Sequence, residues 1–208
     1  GEAYSMANHD GRIYISSYPG ARISIYDPSQ GYNFGEESGS NPRDIGRIDD
    51  ISYRPRSTLG GPGGKVWFAS IPDYGLWGGP LSSYDPATQE KKAYYRIFGD
   101  GSCYTLAHLE AQELIAVGTS VAGGSGTQPK VDQAVLFLFD YAKEEKVWEG
   151  TLDRPISAFT ALVTGPDGRL YCAIRGEGGA EIVVFDPESR AFTDHISPPE
   201  GGVVDNGL

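Results

Sequence analysis

The sequence predicts an all-β protein built from repeated four-stranded units, and three observations support that prediction. The first is composition: 29 glycines, 14 prolines and 13 tyrosines suit short strands joined by tight turns rather than long helices. The second and third are two short phrases that each return four times along the chain, always in the same order. A β-sandwich would also contain short strands, but it would not explain an ordered fourfold repeat.

The first recurring phrase is a corner that follows an apolar strand and turns on an aspartate. An aspartate accepts hydrogen bonds from the backbone ahead of it, and a following proline presets φ for the turn. The third copy has tyrosine in place of proline, which predicts a weaker turn. The aspartates lie 58, 55 and 46 residues apart in the four copies, Tyr26-Asp27-Pro28, Tyr84-Asp85-Pro86, Phe139-Asp140-Tyr141 and Phe185-Asp186-Pro187.

The second phrase lies ahead of each corner and is a turn followed by a strand that is apolar on both faces. Its copies are DGRIYIS from Asp10, GGKVWFAS from Gly63, QELIAVGTS from Gln112 and DGRLYCAI from Asp167. Two of these turns are Asp-Gly, the favoured chemistry for a tight hairpin. Each unit is therefore predicted to hold four antiparallel strands, which in the last unit fall at 158–163, 169–174, 181–185 and 191–196.

Four antiparallel strands repeated about every 40–60 residues are typical of a β-propeller. The predicted blades span 1–50, 51–100, 101–152 and 153–200, and 201–208 resembles the start of a further blade. Closed propellers usually contain more than four blades. We therefore expect the chain to form part of a larger ring, because open blade edges invite aggregation. The remaining blades would come from a second chain, a further segment or a symmetry partner.

Charge, cysteines and motifs exclude several classes of function. A net charge of −11 without a basic block argues against nucleic acid as a partner, and no apolar run is long enough to span a membrane. Cys103 and Cys172 form neither a disulfide framework nor a metal-binding spacing and are predicted to be buried free thiols. Zinc-binding histidine spacings, G-x-S-x-G and the phosphate-binding P-loop are absent. No metal site or cofactor is predicted, and a bound calcium ion stays open.

Ligands of propellers usually bind at the face where two kinds of loop meet, those joining second to third strands and those joining consecutive blades. Two of the second-to-third loops, 69–80 and 118–133, are longer than a corner requires. The first carries Tyr74 and Trp77 among glycines, and a short loop carries Tyr18. Exposed rings suit stacking against sugars; the alternative is that the rings of the long loop pack beneath it.

Basic residues are predicted to gather at the same face. Arg54 and Arg154, each followed by proline, occupy matching repeat positions just before first strands, and Arg56, Arg175 and Lys130 lie in neighbouring loops. Arginine forks suit carboxylates, so this face would attract an anionic ligand. The alternative for Arg54 and Arg154 is a structural brace.

The three histidines occupy different predicted positions. His108 closes a first strand and is expected to border the central channel. His195 ends an outer strand beside the ligand-binding face. His9 precedes an Asp-Gly turn and is expected to be solvated at the opposite face.

Three longer phrases, DGRIYISSYPGARISIYDP, GGKVWFASIPDYGLWGGPLSSYDP and IAVGTSVAGGSG, resemble a family of secreted bacterial and fungal propeller proteins. The resemblance covers most of the chain. Some members are polysaccharide lyases that act at uronic acids, including the rhamnose–glucuronate lyases that trim gum arabic. The resemblance therefore implies a seven-bladed ring, a secreted, extracellular location and an anionic oligosaccharide or polysaccharide as partner. It also implies a lyase that cleaves next to a uronic acid by β-elimination.

Such a lyase needs a group that neutralises the uronate carboxylate, a base that removes the neighbouring proton and an acid that protonates the leaving oxygen. Two other functions stay open. One is a non-catalytic module that binds a glycan or protein on the same face; the other is a sensor or scaffold whose partner covers the acidic rim. The predicted catalytic residues are Arg54, Tyr74, His108 and His195, and the predicted substrate-binding residues are Tyr18, Arg56, Trp77 and Arg175.

Overall fold

The computed structural model describes residues 1–177 and 179–196, and its strands form four consecutive antiparallel units. Two 3-10 turns, Pro62–Gly64 and Glu110–Gln112, each join the first two strands of a unit. No helix in the described part of the chain is long and apolar enough to cross a membrane. The strands are β1 (Glu2–His9), β2 (Arg12–Tyr18), β3 (Arg22–Tyr26), β4 (Arg43–Arg47), β5 (Ser52–Gly60), β6 (Val66–Pro72), β7 (Leu81–Tyr84), β8 (Lys91–Tyr94), β9 (Ser102–Leu109), β10 (Leu114–Ser120), β11 (Leu136–Asp140), β12 (Glu145–Gly150), β13 (Ile156–Thr164), β14 (Leu170–Gly176), β15 (Gly179–Asp186) and β16 (Ala191–Ile196).

Within each unit the four strands pair with their neighbours in chain order, so each unit is an up-and-down meander. A single pair, Ser120 with Ala158, joins the third and fourth units into one larger sheet. The all-β class predicted from the sequence is confirmed. The strands predicted for the fourth unit agree with β13 to β16 to within two residues at each end. The predicted start of a further blade at 201–208 lies outside the described residues.

The first strands of the four units are neighbours in the order β1, β5, β9 and β13. The hydroxyls of Ser5 on β1 and Thr58 on β5 are hydrogen-bonded at 2.6 Å. The hydroxyl of Ser57 on β5 accepts the backbone N–H of Leu106 on β9 at 3.2 Å. The inner edges of the four sheets are therefore held side by side.

Consecutive sheets also pack face to face through apolar clusters, one between each pair of neighbouring units. Between the second and third units, Trp67 and Phe139 are fully buried with ring centroids 5.5 Å apart. Complete burial of a side chain such as Phe139 contributes roughly 1.5–3 kcal/mol relative to exposure. Burial between the sheets is thus the main force that keeps the units together.

Each unit turns from its third to its fourth strand at the predicted aspartate corner. In all four corners the carboxylate accepts the backbone N–H of the residue two positions on, at 2.8 to 3.1 Å. The third corner keeps this bond although it lacks proline. Hydrogen bonds to the ionised carboxylate lower the pKa of all four corner residues, Asp27 (mainly through Ser29), Asp85 (Ala87), Asp140 (Lys143) and Asp186 (Ser189).

Three smaller predictions are confirmed. The hairpin between β1 and β2 turns at Asp10 and Gly11, whose φ angles of 49° and 74° suit a tight hairpin. The glycine-rich stretch ahead of β6 is a turn, and Trp67 Nε1 donates to the carbonyl oxygen of Pro62 at 2.9 Å. Both cysteines are buried free thiols, and burial raises their pKa values.

Two predictions about local position are wrong. Arg54 and Pro55 lie inside β5 instead of before it, because register shifts on both sides let the strand absorb a proline that cannot donate to the ladder. Arg154 does precede β13, so the two arginines do not occupy matching positions. His9 is not solvated: its side chain is 9% exposed, and Nε2 donates to the carbonyl oxygen of Gly64 at 3.1 Å.

Candidate ligand-binding site

One end of the molecule carries both the loops that join second to third strands and the loops that join consecutive units. Backbone hydrogen bonds tie the two kinds of loop together. Asp73 N donates to the Ile51 oxygen at 2.9 Å, and Gly78 N donates to the Asp100 oxygen at 3.2 Å. We call this end the loop face, and its segments are 19–21, 48–51, 73–80, 95–101, 121–135 and 151–155.

Four tyrosines from the first two units pack against one another at the loop face. Ring centroids are 5.6 Å apart for Tyr4 and Tyr18, 5.4 Å for Tyr18 and Tyr53, and 5.4 Å for Tyr53 and Tyr74. The last two pairs meet edge to face, a favourable arrangement for aromatic rings. Tyr4 and Tyr74 are 42% and 55% exposed. This tyrosine cluster therefore presents rings and hydroxyls to solvent.

Arg54 lies against the tyrosine cluster. Its guanidinium carbon is 5.3 Å from the centroid of the Tyr18 ring, which is within cation–π distance. Its Nε is buried and has no hydrogen-bond acceptor among the described residues. Because a buried donor without an acceptor costs about 1–3 kcal/mol, a ligand oxygen that accepted from this arginine would bind favourably.

A cavity of about 220 Å³ lies beside the tyrosine cluster, where the first strands of all four units meet. The guanidinium carbon of Arg56 is 4.3 Å from the centroid of the nearly buried Tyr104 ring. Thr160 adds a buried hydroxyl that has no hydrogen-bond partner in the described part of the chain. Tyr4 belongs to the cluster and the cavity, so the two are continuous. We call this space the inner cavity, lined by Tyr4, Pro55, Arg56, Tyr104 and Thr160.

The chemistry of the tyrosine cluster favours binding over proton abstraction. The hydroxyl oxygens of Tyr18 and Tyr74 are 3.4 Å apart, and this contact is the largest cause that raises the pKa of Tyr74 above its ordinary value. A general base works best with a pKa near the working pH. Tyr74 therefore stays protonated at neutral pH, where it can hydrogen-bond and stack but is a weak base.

Trp77 is held between the two long loops instead of in the tyrosine cluster. Its Nε1 donates to the Gln128 carbonyl oxygen at 2.9 Å, and Lys130 Nζ lies 3.4 Å from the centroid of its ring. The loop backbones touch as well, since a Cβ added to Gly124 would lie 1.9 Å from the Asp73 carbonyl oxygen. This packing fits the alternative in which Trp77 supports its loop.

The two candidate histidines lie apart from the tyrosine cluster. His108 is near the end of β9 that is remote from the loop face, with its ring centroid 5.9 Å from that of Tyr141. Burial lowers the pKa of His108. His195 on β16 is exposed, and its Nδ1 is 3.8 Å from Glu181 Oε2. Glu181 also pairs with Arg154, which supports the brace interpretation of that arginine.

Arg175 is the last residue but one of β14 on the fourth unit, and its carbonyl oxygen accepts the Ser157 hydroxyl at 3.0 Å. In the described ranges 1–177 and 179–196, no group of three His, Cys, Asp or Glu side chains is placed to hold a metal ion. The predicted site residues that the structure brings together are Tyr18, Arg54 and Tyr74, with Arg56 joined to them through Tyr4.

Four residues of the tyrosine cluster and inner cavity, Tyr4, Tyr53, Tyr104 and Thr160, were not predicted from the sequence. Three of them carry a signal: each tyrosine is the second or third residue of a first strand, so it returns at the same point of three units. These tyrosines were missed because ligand-binding residues were expected in loops, whereas the three lie inside strands. A tyrosine repeated near the start of the first strand is the sequence signal for this site.

No protein-family model and no curated protein matches the chain. Solved structures do resemble it. The extracellular domain assigned to a one-component system of Bacteroides thetaiotaomicron aligns with a TM-score of 0.60 and 11% identity, over 99% of this chain and 24% of that one. A second structure of that domain, assigned to a hybrid two-component system, aligns with a TM-score of 0.58 and 10% identity, over 98% and 23%.

An auxiliary nutrient binding protein of the same organism aligns with a TM-score of 0.59 and 9% identity, over 94% of this chain and 41% of that one. At these identities the likeness concerns the fold alone. The chain spans between 23% and 41% of the length of these three structures.

Proposed function

We propose that the chain is part of an extracellular β-propeller whose loop face binds an acidic glycan without cleaving it. The proposal rests on one observation: the tyrosine cluster, Arg54 and Arg56 lie together beside the inner cavity. Aromatic rings give a sugar flat apolar surfaces, and arginine forks bind its carboxylates through paired hydrogen bonds. Tyr18, Tyr74 and Arg54 would contact the glycan at the surface, and Arg56 a carboxylate at the cavity.

The propeller part of the proposal is supported by four consecutive meanders whose first strands are neighbours and whose sheets pack face to face. In this view 1–50, 51–100, 101–152 and 153–200 are four blades of a larger ring, seven-bladed if the family resemblance holds. Exposed apolar side chains lie on the terminal units: Met6 is 60% exposed and Val163 43%. Further blades packed against these units would cover them.

Binding is favoured over β-elimination because the residues a lyase would need are dispersed. Tyr74 is a weak base, His108 lies at the remote end of β9, and His195 is on the outer strand beside Glu181. Among the similar solved structures, one is named a nutrient binding protein and two are extracellular domains. Those names fit a binding role outside the cell better than a catalytic one.

Charge explains why the arginines matter for this ligand. The chain has a net charge of −11, so its overall field repels an acidic polymer. Local cations must outweigh that repulsion at the binding site. Arg54 and Arg56, held over tyrosine rings at 5.3 and 4.3 Å, provide two such charges at one face.

Calorimetric titration with a glucuronate-containing oligosaccharide and a neutral one of equal length tests the proposal. We expect the chain to prefer the acidic ligand, and R56Q to weaken that binding at least tenfold, about 1.4 kcal/mol. R169Q is the matched control, because Arg169 lies at the remote end and pairs with Asp167 at 2.7 Å. Equal affinity for both ligands would contradict the proposal. A product that absorbs ultraviolet light would mark an unsaturated uronate and hence a lyase.

A further inference from the structure

A second polar groove lies at the end of the molecule remote from the loop face, between the corners of the first and second units. It consists of two adjoining cavities of about 190 and 410 Å³ that share Arg43, Tyr84 and Gln89. The smaller cavity is also lined by Arg12 and Tyr14. We call the smaller one the corner groove, defined by Arg12, Tyr14, Arg43, Tyr84 and Gln89.

Arg43 is a half-buried cation, and no ion pair to it is found among the described residues. It begins β4 and pairs with Ile25 across the sheet, which directs it toward the second unit. Its Nε is buried and has no hydrogen-bond partner in the described part of the chain. A desolvated charge without a partner is unfavourable, so an arginine in this setting favours an anion.

Arg12 adds a second charge that is weakly neutralised. Its nearest carboxylate oxygen belongs to Asp27 at 4.0 Å, and half of its side chain is exposed. Asp27 already accepts the backbone N–H and hydroxyl of Ser29 and the amide of Gln30. The carboxylate is therefore shared among several donors, and the exposed half of the Arg12 side chain can be reached by a ligand.

The two arginines line the same small cavity as two phenols. Burial raises the pKa of Tyr84, and the charges of Arg43 and Arg12 partly oppose that rise. Burial likewise raises the pKa of Tyr14, again opposed by Arg12. The two rings are 6.2 Å apart. Two cations, two protonated phenols and the Asp27 carboxylate thus line one small space.

The adjoining larger cavity differs, because the two basic groups that it does not share with the corner groove, Arg22 and Lys91, are satisfied by the chain itself. Arg22 Nε donates to Asp44 Oδ2 at 2.9 Å. Lys91 Nζ donates to the carbonyl oxygen of Arg47 at 2.8 Å. Unused donor capacity is therefore concentrated in the corner groove.

We propose that the corner groove binds a small ring-sized molecule that carries a carboxylate or phosphate, with Arg12 and Arg43 holding the anionic group. The volume is suitable, since a cavity of about 150 Å³ accommodates a benzene-sized molecule. The tyrosine hydroxyls and the Gln89 amide would form hydrogen bonds with the hydroxyl groups of the ligand. This site is separate from the loop face and does not depend on the glycan-binding function proposed there.

Titrations of the R56Q variant test the inference, since that background weakens the loop face and leaves the corner groove intact. The probes are glucuronate, glucose 6-phosphate and glucose, at constant ionic strength. We expect at least one charged sugar to bind and glucose to bind at least tenfold more weakly. The better of the two charged probes identifies the anionic group as carboxylate or phosphate.

Adding R43Q to this background should weaken binding of the charged probe at least tenfold, and so should adding R12Q, whose exposed position makes misfolding a poor explanation. Adding R169Q should leave the affinity unchanged. Circular dichroism confirms that each variant is folded. No binding of either charged sugar at millimolar concentration, equal binding of glucose, or unchanged affinity in folded R43Q and R12Q variants would overturn the inference.

Discussion

Tyr74 distinguishes a binding surface from a catalytic one at the loop face. It is more than half exposed, its ring meets that of Tyr53 edge to face, and its hydroxyl lies 3.4 Å from that of Tyr18. The contact with Tyr18 raises its pKa, which disfavours the phenolate. A binding role needs the ring, whereas a role as base would need the hydroxyl to lose its proton.

Replacement of Tyr74 separates these roles. Y74F keeps the ring and removes one hydroxyl contact, so we expect the affinity for the acidic oligosaccharide to fall less than threefold. Y74A removes the stacking surface and should reduce affinity more than Y74F does, by up to about tenfold, since one aromatic contact is worth at most roughly 1.5 kcal/mol. Calorimetric titration measures both. If Y74F lost as much binding as Y74A, the hydroxyl would matter more than the ring, and the stacking account would fail.

For single residues, the sequence indicated which residue types belong to the site better than it indicated which residues contact one another. Exposed aromatics among glycines pointed to Tyr74, and its exposure agrees with that interpretation. Its ring partner Tyr53 lies on β5, and Tyr4, which contacts Tyr18, lies on β1, so no local pattern linked these residues to Tyr74. The position of His108 was harder to predict, because its distance from the loop face depends on the direction in which β9 runs.

Among the elements, the aspartate corners were predictable because their cause is local. Each carboxylate reaches a backbone N–H only two residues ahead, so the pattern that forms the corner lies within it. The position of Arg54 and Pro55 inside β5 has a non-local cause, since it depends on shifts in the pairing with β6. In the sequence Pro55 suggested the start of a strand, but irregular pairing with β6 accommodates it inside β5.

A partly exposed ion-pair network braces the second unit against the third. Glu144, in the corner ahead of β12, pairs with Lys65 at 3.1 Å and with Lys92. The hydrogen bond from Lys92 is the largest cause that lowers the pKa of Glu144 to about 2. The same carboxylate adds to the effect of burial in raising the pKa of Tyr94.

The E144Q variant tests this brace through its pH dependence. Because the folded pKa lies below the ordinary value, the contribution of Glu144 is complete above about pH 4.5 and is lost as pH falls toward 2. We expect E144Q to unfold with about 1 kcal/mol less free energy at pH 7, since the pair is partly exposed. Urea unfolding at pH 7 and pH 3 measures the difference, which should shrink at pH 3. E145Q is the control on the adjacent residue, and an equal loss in both variants would contradict the brace.

At the scale of the whole molecule, the two ends carry different kinds of surface. The loop face combines rings with Arg54 and Arg56, and the opposite end carries the corner groove with Arg12 and Arg43. Both depend on packing between units: the inner cavity needs the first strands of all four, and the groove needs the corners of the first two. The fold therefore creates sites where units meet instead of within a single unit.

The repeat made the number and order of units predictable, because one phrase marked every corner. The inner cavity was not predictable from any single unit, since Tyr104 and Thr160 join it only when the third and fourth units pack beside the second. The corner groove was not predictable from the sequence for the same reason. Arg43 follows a long connection in the first unit, and only packing brings it beside Tyr84 of the second.

A crystal structure of the chain with a glucuronate-containing oligosaccharide tests the central claim most directly. The account predicts a sugar ring stacked on the tyrosine cluster at the loop face, with a carboxylate within about 3 Å of a guanidinium nitrogen of Arg54 or Arg56. A ligand bound away from the loop face, or one whose carboxylate points to solvent while neutral groups make the contacts, would contradict it.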